Sequence, residues 1–161
     1  MPLSTSMSGR LQHQHETIRE LFRGLSEEQL KQRVLPDKWS AFEQLSHLVA
    51  YQPVFLGRMR HIEQEQGLTF ERYVADNDPA FLDCCKKTLK ELLDDLETQR
   101  FLIVNHLTAL PEQTLRLSAQ HKKYGLLTIT DWTEFFLLHE AHHLFSIFML
   151  TRELRQVSQQ A

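Results

Sequence analysis

Apolar residues recur three and four positions apart along most of this chain, and that spacing predicts helices. The first helical segment runs from about Ser8 to Leu25, with Leu11, Ile18, Leu21, Phe22 and Leu25 on one face. Ser26-Glu27-Glu28-Gln29 reads as a capping box opening a short helix. Pro36-Asp37-Lys38 is a turn, and Ser40-Ala41-Phe42-Glu43 is a second capping box that opens the next long segment, roughly Ser40 to Gln66. Pro53 falls inside it and is expected to kink it, and Gly67 ends it. Asp78-Pro79 opens the third segment in cap-then-proline order, and the segment continues to about Leu107 or Thr108, with Pro111 just beyond. The fourth starts near Thr128–Asp131 and meets no glycine or proline from Thr130 to Ala161. Residues 113–128 give no clear periodicity beyond a weak alternation at Leu115 and Leu117, and read as a loop. Four amphipathic segments of this kind predict an all-α four-helix bundle in one domain over residues 1–161. The connection between the second and third segments, around Leu68 to Asn77, is the longer one and is expected to cross the bundle.

Composition narrows the function. Of the 161 residues, 42% are hydrophobic and 24% charged, as in ordinary globular proteins. The net charge of −3 gives no basic face for nucleic acid. No apolar run approaches the ~18 residues of a membrane span, and the polar stretch from Met1 to Gly9 does not read as a signal peptide. The two cysteines, Cys84 and Cys85, are adjacent and unsuited to bridging each other, which fits a reduced, cytoplasmic setting. Core packing is the expected role for at least one of them.

Nine histidines are many for this length, and three of them fall within His139-Glu140-Ala141-His142-His143. On a helix His139 and His143 stand one turn apart on one face, along a stripe with Trp132, Phe135, Phe136, Ile147 and Leu150. A buried imidazole needs a partner. Each is therefore either a core histidine bonded to a carbonyl or carboxylate, or one of a pair chelating a divalent ion. His142 points to another side. A third ligand must come from elsewhere, and His47 is the leading candidate, since it borders the stripe of Tyr51, Val54 and Phe55. His13, His15, His61, His106 and His121 have mostly polar neighbours and are expected at the surface.

Trp39-Ser40, then His47-Leu48, then a closing helix with His139 and His143, resembles the DinB/YfiT-like superfamily over nearly the whole chain. The Leu25-Ser26-Glu27-Glu28-Gln29-Leu30 segment and the Pro36-Asp37-Lys38-Trp39-Ser40 turn share in it, with Asp37 where relatives often have glycine. The resemblance implies a bundle holding a divalent metal through His47, His139 and His143. It also implies a small-molecule substrate, a transferase or hydrolase activity that in some relatives uses a low-molecular-weight thiol, and a homodimer. Zinc, nickel and iron all suit histidine-only ligation, so the metal's identity stays open. A non-catalytic, metal-binding stress-response bundle is the alternative function.

The same five letters also match H-E-x-x-H, the zinc metalloprotease signature in which the Glu is general base. Ser146 and Met149 stand where the extended motif has glycine and histidine, and no peptide-binding sheet is legible. In a bundle, Glu140 turns about 100° from His139 and is expected to be solvated or to support the ligands. Helix four is apolar on further sides, at Leu137, Leu138, Leu144, Phe145, Phe148 and Met149, which points to a dimer face unless the segment Leu115 to Leu127 folds over it.

Overall fold

The computed structural model describes residues 3–160. Its helices are α1 (Thr5–His13), α2 (Thr17–Phe22), α3 (Glu27–Lys31), α4 (Ala41–Gln64), α5 (Pro79–Cys84), α6 (Leu89–Ala109), α7 (Glu112–Leu115) and α8 (Ile129–Gln160), and its strands β1 (Thr69–Phe70), β2 (Ser118–His121) and β3 (Gly125–Thr128). A four-helix bundle forms from the α1–α2 segment, α4, α6 and α8. Its chief pairings are α4 with α6 and α8, and α1–α2 with α8 and α6. The first and second long segments therefore lie diagonally across the bundle, as do α6 and α8.

Local chemistry sets most of the boundaries. Ser26, Ser40 and Thr88 each close a capping box, with Gln29, Glu43 and Glu91 respectively. Thr128 and Asp131 exchange the same kind of bonds at the start of α8. The helix from Ala41 runs on through Pro53 to Gln64 as one element.

Two expected helices prove to be composite. The first is interrupted by a tightened 3-10 turn at Gln14–Glu16, and the third stops at Cys84 and restarts at Leu89. At the second break, backbone bonds from Lys86 to Asp83 and Lys87 to Cys84 tighten the chain, and the Thr88 box then starts a new helix. The expected loop at 113–128 is also structured. It forms α7 and a β2–β3 hairpin, whose Gly125 takes a left-handed φ of 87°. β1, from the long α4–α5 connection, joins β2 in parallel, with Thr69 opposite Gln120 and Phe70 opposite His121. So the chain carries a small three-stranded sheet that its sequence pattern did not predict. Strands of two and four residues are too short to show a period of two, and the pairing of β1 is non-local.

The core has two clusters. One gathers Ile18, Phe42, Leu45, Leu92 and Ile147, and the other Leu11, Phe55, Met59, Ile103, Trp132 and Phe136. Along α4 the first cluster ends at Ala50 and the second begins at Tyr51, so His47 lies near their junction. No helix among the described residues is long and apolar enough to cross a membrane.

Candidate metal centre

Because α4 packs on α8, the inward face of one meets the histidine stripe of the other. His47 Nε2 lies 3.1 Å from His139 Nε2, and His143 Nε2 lies 3.1 Å from the same atom. The candidate ligand atoms of all three lie within 4.8 Å of one another. Two imidazole nitrogens held about 2.0–2.1 Å from one tetrahedral ion would stand roughly 3.3 Å apart, close to the spacing found.

Hydrogen bonding alone does not satisfy this arrangement. A neutral ring nitrogen offers one proton or one lone pair. The His139 Nε2 can make one full hydrogen bond, yet it faces two nitrogens. His143 settles part of the question, since its Nδ1 lies 2.5 Å from Oε1 of Gln44. The amide oxygen accepts there, so the proton is on Nδ1 and the Nε2 lone pair points at the cluster. The Nδ1 atoms of His47 and His139 are buried without a hydrogen-bond partner. A cation at the centre would engage all three lone pairs at once, so the three histidines fit a metal.

The rings are also held neutral, which ligation requires. Burial, reinforced by neighbouring imidazoles, lowers His47 to about 3, His139 to about 4 and His143 to about 2. Aromatic rings crowd round them: Trp39 lies 5.2 Å from the His47 ring and Tyr51 4.8 Å from that of His139, centroid to centroid. Tyr73, 5.7 Å from His47, donates its hydroxyl to Asp78. Burial, then Asp78, raises the Tyr73 phenol.

The three histidines open on a cavity of about 430 Å³. Its walls come from the segments that sequence periodicity left undefined. The α4–α5 connection supplies Arg72 to Asp76, and the β2–β3 hairpin supplies His121 and Tyr124. His142, exposed, lines the same cavity from beside the cluster.

Several expectations change here. Glu140 is neither solvated nor in support of the histidines. It is buried at 1% exposure and pairs with Arg100, itself 2% exposed, while Gln14 donates to its other oxygen at 2.9 Å. The 100° turn that separates it from His139 points it into the bundle, where Arg100 also bonds Gln52 Oε1 and the Leu11 carbonyl. A Glu held this way cannot serve as the general base of a protease. Two histidines expected at the surface are buried, His15 at the 3-10 turn and His121 at the end of β2. His106 is half-buried and bonds Glu63, whereas His13 and His61 are exposed. Cys84 is buried and Cys85 half-buried, and burial raises both thiols. Raised, buried thiols of this kind are poor nucleophiles, so both cysteines fit the packing role.

A sequence profile of the DinB superfamily matches residues 10–147. The chain belongs to the DinB superfamily. Among solved structures this DinB-superfamily chain is similar to YfiT from Bacillus subtilis, described as a probable metal-dependent hydrolase with an unusual four-helix bundle topology. The TM-score is 0.75 at 15% identity, over 92% of this chain and 86% of that one. It is also similar to an uncharacterised protein from Clostridium difficile 630, with a TM-score of 0.68 at 12% identity over 94% of each chain. No curated protein matches it in sequence. Likeness at these identities concerns the fold.

Proposed function

We propose that His47, His139 and His143 hold one divalent ion and that this site performs metal-dependent hydrolysis or group transfer on a small molecule. The observation that carries this reading is the convergence of three neutral Nε2 atoms on one point at the floor of a cavity. Three protein ligands leave a coordination position free, the pattern of catalytic sites. A bound ion there supplies Lewis acidity, which acidifies water, polarises a carbonyl or engages a thiolate. The surrounding residues do the rest. Gln44 fixes the His143 tautomer and Trp39 covers one side of the cluster. Tyr51 presents a buried phenol beside His139, kept protonated by burial.

Zinc, nickel and iron(II) are the candidate ions, and a low-molecular-weight thiol is a candidate co-substrate. The test is to strip the protein, reload it with each ion, and assay small esters and amides, and electrophiles with added thiol. Turnover that depends on the ion and disappears in His139→Ala supports the reading. Identical results for loaded and stripped protein across the panel would favour the non-catalytic alternative, in which the ion steadies the bundle.

A further inference from the structure

Arg58 is a half-buried cation that faces the same cavity as the histidine cluster and has no carboxylate partner among the described residues. Its position is fixed rather than free. One Nη2 hydrogen goes to the Glu71 carbonyl at 2.8 Å, and the guanidinium lies 5.3 Å from the Phe70 ring centre and 5.6 Å from that of Trp132. A guanidinium carries five N–H donors in a rigid fork. The Glu71 carbonyl takes one and the Tyr51 hydroxyl, which bonds the same guanidinium, takes another, so the fork still keeps donors to offer. Taking a cation partly out of water with no counter-charge is unfavourable. The arrangement makes sense where a ligand brings the anion.

His121 adds a second donor to the cavity wall. Its Nδ1 accepts the backbone N–H groups of Lys123 and Tyr124 at 3.0 and 3.2 Å. The ring proton must therefore sit on Nε2, leaving His121 a hydrogen-bond donor with no acceptor role toward the cavity. Burial first, then the nearby charges of Arg58 and Lys123, keep the ring neutral. Of the remaining charged side chains lining the cavity, Arg72 adds to the positive field, while Asp76, exposed on the rim, opposes it.

We propose that Arg58 and His121 form an anion subsite beside the three-histidine cluster, so that the small molecule acted on there carries a carboxylate. A carboxylate matches the guanidinium fork with two parallel bonds, geometry a point charge does not offer. The cavity of about 430 Å³ suits a compact aromatic or branched acid whose body meets Tyr51, Tyr124 and Phe135. The location of the reacting group relies on the proposed metal reading; the subsite itself does not.

The experiment titrates benzoate and its neutral counterpart benzamide into metal-free protein, following the fluorescence of Trp39 and Trp132. Metal-free protein is used because a bound ion could capture the carboxylate directly. Zinc content is measured separately on the reloaded protein. Benzoate should bind about tenfold more tightly than benzamide or better, the value of a charge-assisted hydrogen bond. The preference should vanish in Arg58→Gln, survive in part in Arg58→Lys and shrink in His121→Phe. Equal binding of the two ligands to the wild type overturns the proposal, with no need for a variant to fold. So does a preference that persists undiminished in Arg58→Gln. Protein that binds zinc but shows no benzoate preference refutes the subsite alone, while the reverse result refutes the metal reading and leaves the subsite standing.

Discussion

His143 keeps its proton on Nδ1 because Gln44 accepts it, and that single bond aims a lone pair at His139 and His47. Partners of this kind typically contribute 10–100-fold to metal affinity. Gln44→Ala should therefore weaken zinc binding by roughly that factor with the fold intact, as read by competition with a chromophoric chelator; affinity unchanged within twofold would remove Gln44 from the site. His15 makes a separate statement about pH. Burial, then the charge of Arg100, lowers it to about 4, with Glu16 and Glu97 opposing and His13 adding to the fall. Its unfolded value is about 6.5. Below that pH the unfolded chain takes up a proton that the folded chain refuses, so the part of the stability that His15 controls falls from about pH 6.5 down to about 4 and levels off beneath. His15→Asn should make the fall in stability between about pH 6.5 and about 4 shallower in urea unfolding, with His47, His139 and His143 supplying what remains, and an unaltered slope would contradict the assignment. The i, i+4 pair and His47 were legible because helical spacing alone puts side chains on a face. Gln44, Arg58 and His121 were not. Their roles depend on which segments the fold brings to one cavity, and a polar neighbourhood in sequence says little about burial in a hairpin.

At the level of elements, the buried pair of Arg100 and Glu140 ties α6 to α8, and Gln14, Gln52 and the Leu11 carbonyl bring in the 3-10 turn, α4 and α1. Removing one partner leaves a buried charge uncompensated, at a cost of about 3–5 kcal/mol. Glu140→Ala should lose that much stability in urea unfolding, and replacing both, Arg100→Met with Glu140→Leu, should restore most of it. A Glu140→Ala loss below about 1 kcal/mol would mean the pair is not buried as described. Long periodic helices were readable from the chain, and so were the caps at Ser26, Ser40 and Thr128 that bound them. The break before α6 carried a signal too, since Thr88-Leu89-Lys90-Glu91 is a capping box in plain sequence. The apolar stripe running on from Phe81 to Leu107 masked it. The strands had no comparable signal, because β1 exists only through its partner β2.

For the molecule as a whole, α8 presents an apolar row to solvent. Leu137 and Leu144, expected on that outer face, are in the core, but Leu138, Phe145, Phe148 and Met149 remain exposed, with Phe101 and Leu102 exposed on α6. The hairpin does not cover that row: it reaches α8 at its start, where Tyr124 meets Phe135. We propose that a second copy of the chain covers it in a two-fold homodimer, the commonest soluble assembly, in which the same row faces itself. Phe145→Glu with Met149→Glu should give folded monomers in light scattering, and a wild type that is monomeric at tens of micromolar would rule the dimer out. An ion bound only to the folded chain stabilises it by about 2.7 kcal/mol when present at a hundredfold excess over Kd. For a chain of this size that is about 5–10 °C in melting temperature. Chelation should lower the melting temperature accordingly but leave the helical circular dichroism in place, because the two apolar clusters hold the bundle without the ion.

The most direct measurement is metal content by elemental analysis of wild-type protein beside His47→Ala, His139→Ala, His143→Ala and His142→Ala. One ion per chain in the wild type, lost in the first three variants and kept in His142→Ala, is the expected result. Equal metal in all five proteins, or none in a wild type reloaded with zinc, nickel or iron(II), would contradict a metal centre at His47, His139 and His143.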